Sequence, residues 1–294
     1  MNDAELLAAI EHCFPSVRVE SWRLLGEGWM SRALLVNERY VFRFPRHAEA
    51  AADLAKEAAL LPVIASAVSL PVPRFELHGE QSNGLPFVGY RLLEGEPFEP
   101  GTWVSLDGVA QARVVGQLAT FMNELHGVPL EIARQAGLCA TDHRREYAED
   151  REALRAFAAQ LPARVAAYVE HRFESFLSND AFFANEARLI HADLSPEHLL
   201  FDPAAHELTG IIDFGDLSVA DPDYEYLYLL EDLGRELTTR VMLARGESDF
   251  ATLLDKVGHY VTFDHVHSIL GGQQHGMQAW IDEGVAALTA EAGA

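Results

Sequence analysis

Two aspartates, 20 residues apart, are the side chains of this sequence best suited to do chemistry. Asp193 lies in His191-Ala-Asp-Leu-Ser-Pro-Glu-His198, and Asp213 lies in Gly210-Ile-Ile-Asp-Phe-Gly215. Each follows a short apolar segment that predicts a strand, so both carboxylates are expected on rigid backbone. One carboxylate can orient an acceptor hydroxyl and take its proton, while another holds Mg²⁺ against nucleotide phosphates. The pair therefore predicts a phosphoryl-transfer site.

The order of the two segments resembles the paired motifs of kinases, H-x-D-x-x-x-x-N followed by D-F-G. His198 stands where the kinase pattern has Asn. Asp-Phe-Gly alone is common, and Asp193 alone could cap a helix. The indication therefore rests on the pair, its order and the elements that precede it.

A glycine segment, Leu25-Gly26-Glu-Gly28-Trp-Met-Ser31, lies between two predicted strands. Glycines let the backbone fold closely over phosphates, and the Ser31 hydroxyl can add a donor. We therefore expect Gly26, Gly28 and Ser31 to bind nucleotide phosphates. The alternative is an ordinary hairpin turn. The sequence has no G-x-x-x-x-G-K-[ST] motif, which argues against a Walker-type fold.

Phosphate binding also needs a cation on the third predicted strand, and Arg43 is the candidate. The sequence has only two lysines, Lys56 and Lys256, and neither lies on that strand. Arginine can bridge phosphate and carboxylate through its planar guanidinium. Glu57, in the following predicted helix, is the expected ion-pair partner. The alternative is a strand arginine that extends to solvent.

The segment before the predicted linker is expected to bind the nucleotide base. Backbone groups near Arg91 and Leu93 can hydrogen-bond the base edge, and Ile212, next to Asp213, can pack under the ring. Apolar residues at these positions could equally be plain core.

The elements that position these residues follow a simple order. Strands predicted at 16–25, 33–36 and 40–44 precede a helix at 48–65, and strands at 74–77 and 86–93 follow. After a loop at 94–101 the pattern becomes mainly helical. This order predicts an α+β, protein-kinase-like fold with two lobes. Residues 1–93 would form a small, β-rich nucleotide-binding lobe, and residues 94–294 a larger, mostly helical catalytic and substrate-binding lobe.

The amino-acid composition excludes some classes of binding partner. The 294 residues include 45 Asp and Glu against 22 Lys and Arg, a formal net charge of −23. This charge argues against nucleic-acid binding and suits a cationic ligand, although a uniformly acidic surface would explain it too. No apolar run is long enough to cross a membrane, and the two cysteines have no metal or disulfide spacing. We therefore expect a cytoplasmic monomer without membrane or nucleic-acid partners.

The chain resembles the aminoglycoside phosphotransferase family, and within it the 2''-phosphotransferases. The resemblance covers nearly the whole chain and is most specific from Gly210 to Asp216, at Asp221-Pro-Asp223 and at Leu229-Leu-Glu-Asp232. It implies that Asp193 is the catalytic base and that His198 and Asp213 are metal ligands. It also implies that Arg43 and Glu57 position phosphates. The family often has Lys where this chain has Arg43.

The resemblance also implies a substrate, an aminoglycoside, and this polycation requires carboxylates in the cleft. We expect Asp216, Glu231 and Asp232 to bind it, with solvated surface charge as the alternative. Asp221 could instead support the catalytic loop.

The predicted enzyme moves the γ-phosphate of ATP or GTP, with Mg²⁺, to an aminoglycoside hydroxyl and so gives antibiotic resistance. The alternatives are a kinase of the same fold for a macrolide, a sugar or an amino alcohol, and a nucleotide-binding protein without catalysis. Intact Asp193 and Asp213 argue against the last of these.

Overall fold

The first part of the chain is a five-stranded antiparallel sheet flanked by two helices. The computed structural model describes residues 2–293. The sheet has the strand order β1-β2-β3-β5-β4, which places β1 at one edge. Its elements are α1 (Asp3–Cys13), β1 (Trp22–Glu27), β2 (Ser31–Val36), β3 (Tyr40–Pro45), α2 (Ala48–Ala67), β4 (Leu77–Glu80) and β5 (Pro86–Arg91).

The alternation of side chains along β3 decides which residues face the centre of the molecule. Phe42 and Phe44 are buried against α1 in one cluster. Val41 packs on the other face of the sheet, against Leu35 and Tyr90. Because successive strand residues point to opposite faces, Arg43 lies on the same face as Val41. This face is turned towards α2, where Glu57 is buried.

The rest of the chain is mainly helical, with two small sheets of order β6-β8-β9 and β10-β7. Short 3₁₀ turns join several of the strands and helices. The elements are β6 (Glu96–Pro97), α3 (Pro100–Ser105), α4 (Gly108–His126), α5 (Leu130–Gln135), α6 (His143–Phe157), α7 (Ala163–Ser178), β7 (Arg188–Ile190), β8 (Leu199–Asp202), β9 (Glu207–Ile211), β10 (Ser218–Ala220), α8 (Leu227–Glu231), α9 (Gly234–Ala244), α10 (Phe250–His275) and α11 (Gln278–Gly293). The predicted α+β, two-lobed fold is confirmed.

Two of the predicted strands differ from the structure by three residues or more at one or both ends. The strand expected at 16–25 begins only at Trp22 and continues through Gly26 to Glu27. Its pairing with β2 shifts between Leu24 and Gly26, a bulge that lets an edge strand continue through a glycine. The strand expected at 74–77 is instead Leu77–Glu80, the segment that pairs with β5.

The helical part has two hydrophobic clusters. The larger one surrounds α4 and also takes in Leu60 and Ile64 of α2, so the small sheet unit and the helical part share a core. The second cluster lies among α6, α7, α10 and α11. No helix in residues 2–293 is both long enough and apolar enough to span a bilayer.

Two glycines allow α10 and α11 to pack unusually closely. A Cβ at Gly284 would lie 2.6 Å from the carbonyl oxygen of His265, and one at Gly272 would lie 2.8 Å from that of Met277. Larger residues would force the helices apart. The α10–α11 pair is therefore a closely packed unit, and α10 ends at His275, where Gly276 is left-handed with φ of 69°.

A buried histidine that contacts Phe176 and Phe263 of the second cluster should make the protein acid-sensitive. His259 is 2% exposed, and burial with nearby positive charge lowers its pKa to about 3. In the unfolded chain it takes up a proton near its ordinary pKa, so the unfolded state binds more protons at mildly acid pH. The free energy of unfolding should therefore fall by about 2 kcal/mol from this group between about pH 7 and about pH 5. Denaturant titrations of the wild type and His259→Leu at both pH values test this. An equally steep pH dependence in the variant would contradict it.

Candidate active site

The two aspartates predicted from the sequence come together at the centre of the molecule. Asp193 follows β7 by three residues, and Asp213 follows β9 by two. The buried imidazole of His191 connects the two loops, because its Nε2 lies 3.0 Å from the carbonyl oxygen of Ile212. Its Nδ1 accepts a hydrogen bond from the backbone N–H of Asp193 at 3.2 Å. His191 therefore fixes one aspartate relative to the other.

A buried carboxylate, Glu225, holds the catalytic loop in place. The backbone N–H of His191 donates to its two oxygens at 3.1 and 3.0 Å, and that of Ala192 donates at 3.4 Å. Ala192 has φ of 68°, a conformation that needs such support. Burial raises the pKa of Glu225 to about 7, although these two N–H groups oppose the shift. Asp221, which we expected to support this loop, instead pairs with Lys256.

Glu225→Gln should loosen this loop. An amide has one accepting oxygen instead of two, so the paired N–H groups of His191 and Ala192 lose part of their bonding. We expect the free energy of unfolding to fall by about 1–2 kcal/mol, and kcat to fall more than the nucleotide KM rises. Denaturation and steady-state kinetics measure both effects. Glu186→Gln, at an exposed position, is the matched control, and equal effects of the two substitutions would contradict this role.

Asp213 and His198 form the candidate metal site. The Oδ2 atom of Asp213 lies 3.7 Å from His198 Nε2. His198 Nδ1 is 3.0 Å from the carbonyl oxygen of Asp193 and 3.1 Å from Ser195 Oγ. In the neutral imidazole, a proton on Nδ1 can be donated to the carbonyl oxygen of Asp193. The lone pair of Nε2 then points towards Asp213.

This donor set fits a magnesium ion that binds together with nucleotide phosphates. Mg²⁺ in such sites takes one or two protein ligands, and phosphates and water complete the octahedron. No group of three or more His, Cys, Asp or Glu side chains in residues 2–293 is arranged to hold a metal. Burial opposes protonation of His198, but the carboxylates of Asp193 and Asp213 raise its pKa to about 9. A metal must therefore displace a proton to bind this imidazole.

Arg43 connects the sheet, α2 and the candidate metal site. Its Nη1 lies 2.8 and 3.0 Å from the two carboxylate oxygens of Glu57, and its Nη2 lies 3.0 Å from Asp213 Oδ1. The Arg43 side chain is 13% exposed and that of Glu57 1%, so Arg43 does not extend to solvent. Gly215 leaves room for this contact, since its Cβ would lie 3.3 Å from Asp213 Oδ1.

The predicted glycine segment forms the turn between β1 and β2, and we call β1, β2 and this turn the glycine hairpin. The backbone N–H of Gly28 donates to the carbonyl oxygen of Ser31 at 3.0 Å, which closes the turn. No atom lies within 4 Å of a Cβ built at Gly26, and only Ser31 reaches that distance at Gly28. The two glycines therefore have open space beside them, which a phosphate group requires.

The residues expected to bind the nucleotide base are Arg91, Leu93 and Ile212. Arg91 and Leu93 line a separate cavity of about 400 Å³, and Arg91 forms an exposed ion pair with Glu76. Binding of the base by backbone groups near Arg91 and Leu93 stays a prediction. Ile212 is half-buried, and its backbone bonds both His191 and His198.

A cavity of about 310 Å³ adjoins Asp193 on the helical side. Asp216, predicted to bind substrate, lies in its wall together with Glu146, which the sequence reasoning missed. Burial and the carboxylates of Asp193 and Asp213 raise the pKa of Asp216 to about 6. The wall also carries three tyrosine rings, Tyr147, Tyr224 and Tyr228. No Lys or Arg of the described chain lines this cavity, so it suits a cation.

The other two predicted substrate residues lie outside this cavity. Glu231 ends α8 and faces His265, with 3.5 Å between its Oε1 and the imidazole Nε2. Asp232 follows it and is exposed. Partial burial of its carboxyl group and the negative charge of Asp193 raise the pKa of Asp232. The Asp232 carboxylate therefore adds to the negative potential around Asp193. The structure brings Asp216 to the cavity at Asp193 but not Glu231 or Asp232.

A β-rich lobe with a glycine hairpin and a paired strand cation, joined to a helical lobe with two facing aspartates, defines a kinase-like phosphotransferase. The model of the phosphotransferase enzyme family matches residues 21–259. The chain therefore belongs to that family.

Solved structures of relatives have nearly the same fold. The GDP complex of aminoglycoside 2'-phosphotransferase-IIIa is 38% identical, with 100% of this chain and 99% of that one covered and a TM-score of 0.95. A GDP and kanamycin complex of APH(2")-IIIa is 40% identical, with 96% of each chain covered and a TM-score of 0.91. A curated relative, the uncharacterized protein YcbJ of Bacillus subtilis strain 168, is 24% identical over 69% of this chain. The match spans 66% of that relative, just under two thirds of its length.

Proposed function

We propose that this protein transfers the γ-phosphoryl group of ATP or GTP to a hydroxyl group of an aminoglycoside. The observation that carries the proposal is the cavity beside Asp193, whose wall has three carboxylates and no lysine or arginine of the described chain. The one histidine of the wall whose pKa is raised, His267, is paired with Asp150. An aminoglycoside carries several ammonium groups, which such a wall stabilises. A kanamycin complex of a chain 40% identical to this one supports the same substrate class.

In this proposal, each group in the cleft has one task. Residues 1–93 bind the nucleotide, and residues 94–294 supply the catalytic groups and the acceptor site. The bond between the γ-phosphorus and the bridging oxygen breaks, and a bond to the acceptor oxygen forms. Asp193 orients that hydroxyl and takes its proton. Burial opposes ionisation of Asp193, but His198 holds its pKa below the ordinary value, so the carboxylate is ionised and can accept a hydrogen bond from the acceptor hydroxyl.

The other groups position the phosphates. Mg²⁺, held by Asp213 and His198, would neutralise phosphate charge. Arg43, oriented by Glu57, contacts phosphate oxygens through its guanidinium. The glycine hairpin contributes the open space beside Gly26 and Gly28, which lets the phosphates approach the backbone, and the Ser31 hydroxyl. Most of the rate enhancement then comes from orientation and electrostatics.

Nucleotide turnover with Mg²⁺ tests the proposal. ATP and GTP are supplied separately with kanamycin, gentamicin, a macrolide or no acceptor, and the product is identified by mass spectrometry. We expect turnover that depends on kanamycin or gentamicin and yields a phosphorylated drug. Turnover with the macrolide alone would replace the aminoglycoside by a largely apolar acceptor class. No turnover with any acceptor, while nucleotide binds, would favour a nucleotide-binding protein without catalysis.

Three further expectations concern the location, the oligomeric state and the partners of the enzyme. A cytoplasmic location, a monomeric state and the absence of nucleic-acid partners remain predictions from composition and charge. Size-exclusion chromatography with light scattering tests the second of these.

A further inference from the structure

The tip of the glycine hairpin reaches across the cleft to the helical lobe. Trp29 lies in the turn between β1 and β2, and its ring centroid is 4.6 Å from that of His275 at the end of α10. His275 in turn lies 6.2 Å from the ring of Trp280 on α11, at an interplanar angle of 81°. A residue of the phosphate-covering turn is thus in ring contact with the opposite lobe.

The two sides of this contact differ in rigidity. All residues from Ser21 to Met30 are exposed, and the glycines on either side of Glu27 have open space around them. Arg46 holds the turn, since its Nη1 donates to the carbonyl oxygen of Gly28 at 2.8 Å and its backbone N–H to that of Met30 at 2.9 Å. The Trp29 ring lies 5.8 Å from the ring of His47 in its own lobe, farther than its 4.6 Å from His275.

His275, by contrast, lies on a closely packed unit. It is the last residue of α10, whose packing on α11 relies on Gly272 and Gly284. The left-handed Gly276 turns the chain into α11, which brings Trp280 beside His275. The ring of His275 is therefore fixed by two helices, while Trp29 is carried by an exposed edge hairpin.

We propose that Trp29 is a positioning residue that holds the glycine hairpin closed over the nucleotide phosphates by packing on His275. This inference rests on the nucleotide-binding part of the proposed function and not on the identity of the acceptor. Nucleotide release requires the hairpin to lift, so loss of the contact favours the open hairpin. Contacts between aromatic rings of this kind shift an equilibrium by about 2- to 10-fold.

Dissociation of a fluorescent nucleotide measures this directly. Stopped-flow traces with mant-GDP and mant-ADP, in the presence of Mg²⁺, give release rates without any acceptor. We expect Trp29→Ala and His275→Ala each to speed release by about 3- to 10-fold, and Trp29→Phe to restore most of the wild-type rate. The double variant should be no faster than Trp29→Ala alone, because the contact that His275→Ala removes is already lost in Trp29→Ala.

Trp22→Ala is the matched control. Trp22 lies on the same hairpin and is 40% exposed against 42% for Trp29, but it is at the far end of β1. We expect its release rate to equal that of the wild type. Additive effects of Trp29→Ala and His275→Ala, an equal effect of Trp22→Ala, or unchanged release in both single variants would each overturn the inference. A wild type that binds neither nucleotide would overturn the proposed function and this inference with it.

Discussion

Asp193→Asn is expected to lower kcat by about 10²–10⁴-fold while nucleotide affinity stays close to that of the wild type. Asparagine keeps the size of the side chain and can still accept a hydrogen bond from the acceptor hydroxyl. It cannot take the proton of that hydroxyl as phosphoryl transfer proceeds. The defect should therefore appear in kcat and leave the nucleotide KM nearly unchanged.

Asp255→Asn, at an exposed position of α10, is the matched control and should retain full activity. Steady-state kinetics with the preferred acceptor, together with nucleotide binding by calorimetry, separate the two effects. If Asp193→Asn keeps more than about a tenth of the wild-type kcat, proton transfer to Asp193 is not part of the rate-limiting chemistry.

Asp213→Asn should produce a defect of similar size but of a different kind. Its carboxylate lies 3.0 Å from Arg43 Nη2 and 3.7 Å from His198 Nε2, so its charge acts on both groups that meet the phosphates. Without it we expect kcat/KM for the nucleotide to fall by at least about 10³-fold, equivalent to about 4 kcal/mol of transition-state stabilisation. Nucleotide binding should lose its dependence on Mg²⁺.

A Mg²⁺ titration of nucleotide affinity distinguishes the two aspartates. Asp193→Asn should retain the magnesium dependence that Asp213→Asn loses. A Mg²⁺ dependence that persists in Asp213→Asn would assign the metal to other residues. Binding of the acceptor, measured without nucleotide, should change little in Asp213→Asn, because Asp213 does not line the cavity beside Asp193.

Contiguous motifs explain why much of this architecture could be predicted. His191, Asp193 and His198 lie within eight residues, so local backbone geometry largely fixes their relation. The requirement of a kinase-like site for a cation on the third strand singled out Arg43, and Glu57 in the following helix was its expected partner. The structure contains this ion pair, between residues 14 apart.

Contacts between distant segments could not be predicted in this way. Glu225 lies 34 residues after His191 and looks like one more acid in an acidic segment. Only the folded structure shows that its carboxylate accepts hydrogen bonds from the backbone of the catalytic loop. Glu146 is one of several charged residues in α6, and no spacing relates it to Asp193. Glu231 and Asp232 lie outside the cavity wall, and their part in binding the substrate stays a prediction.

The arginine at position 43 has a practical consequence for chemical probes. Reagents that label kinases through a nucleotide-site lysine acylate a primary amine, and a guanidinium does not react in this way at neutral pH. The two lysines of this chain are both engaged elsewhere, Lys56 with Asp53 on α2 and Lys256 with Asp221 and Asp223. Amine-directed nucleotide analogues should therefore leave the cleft unmodified. A covalent inhibitor of this enzyme would need an electrophile aimed at carboxylate or imidazole, such as those of Asp213 and His198.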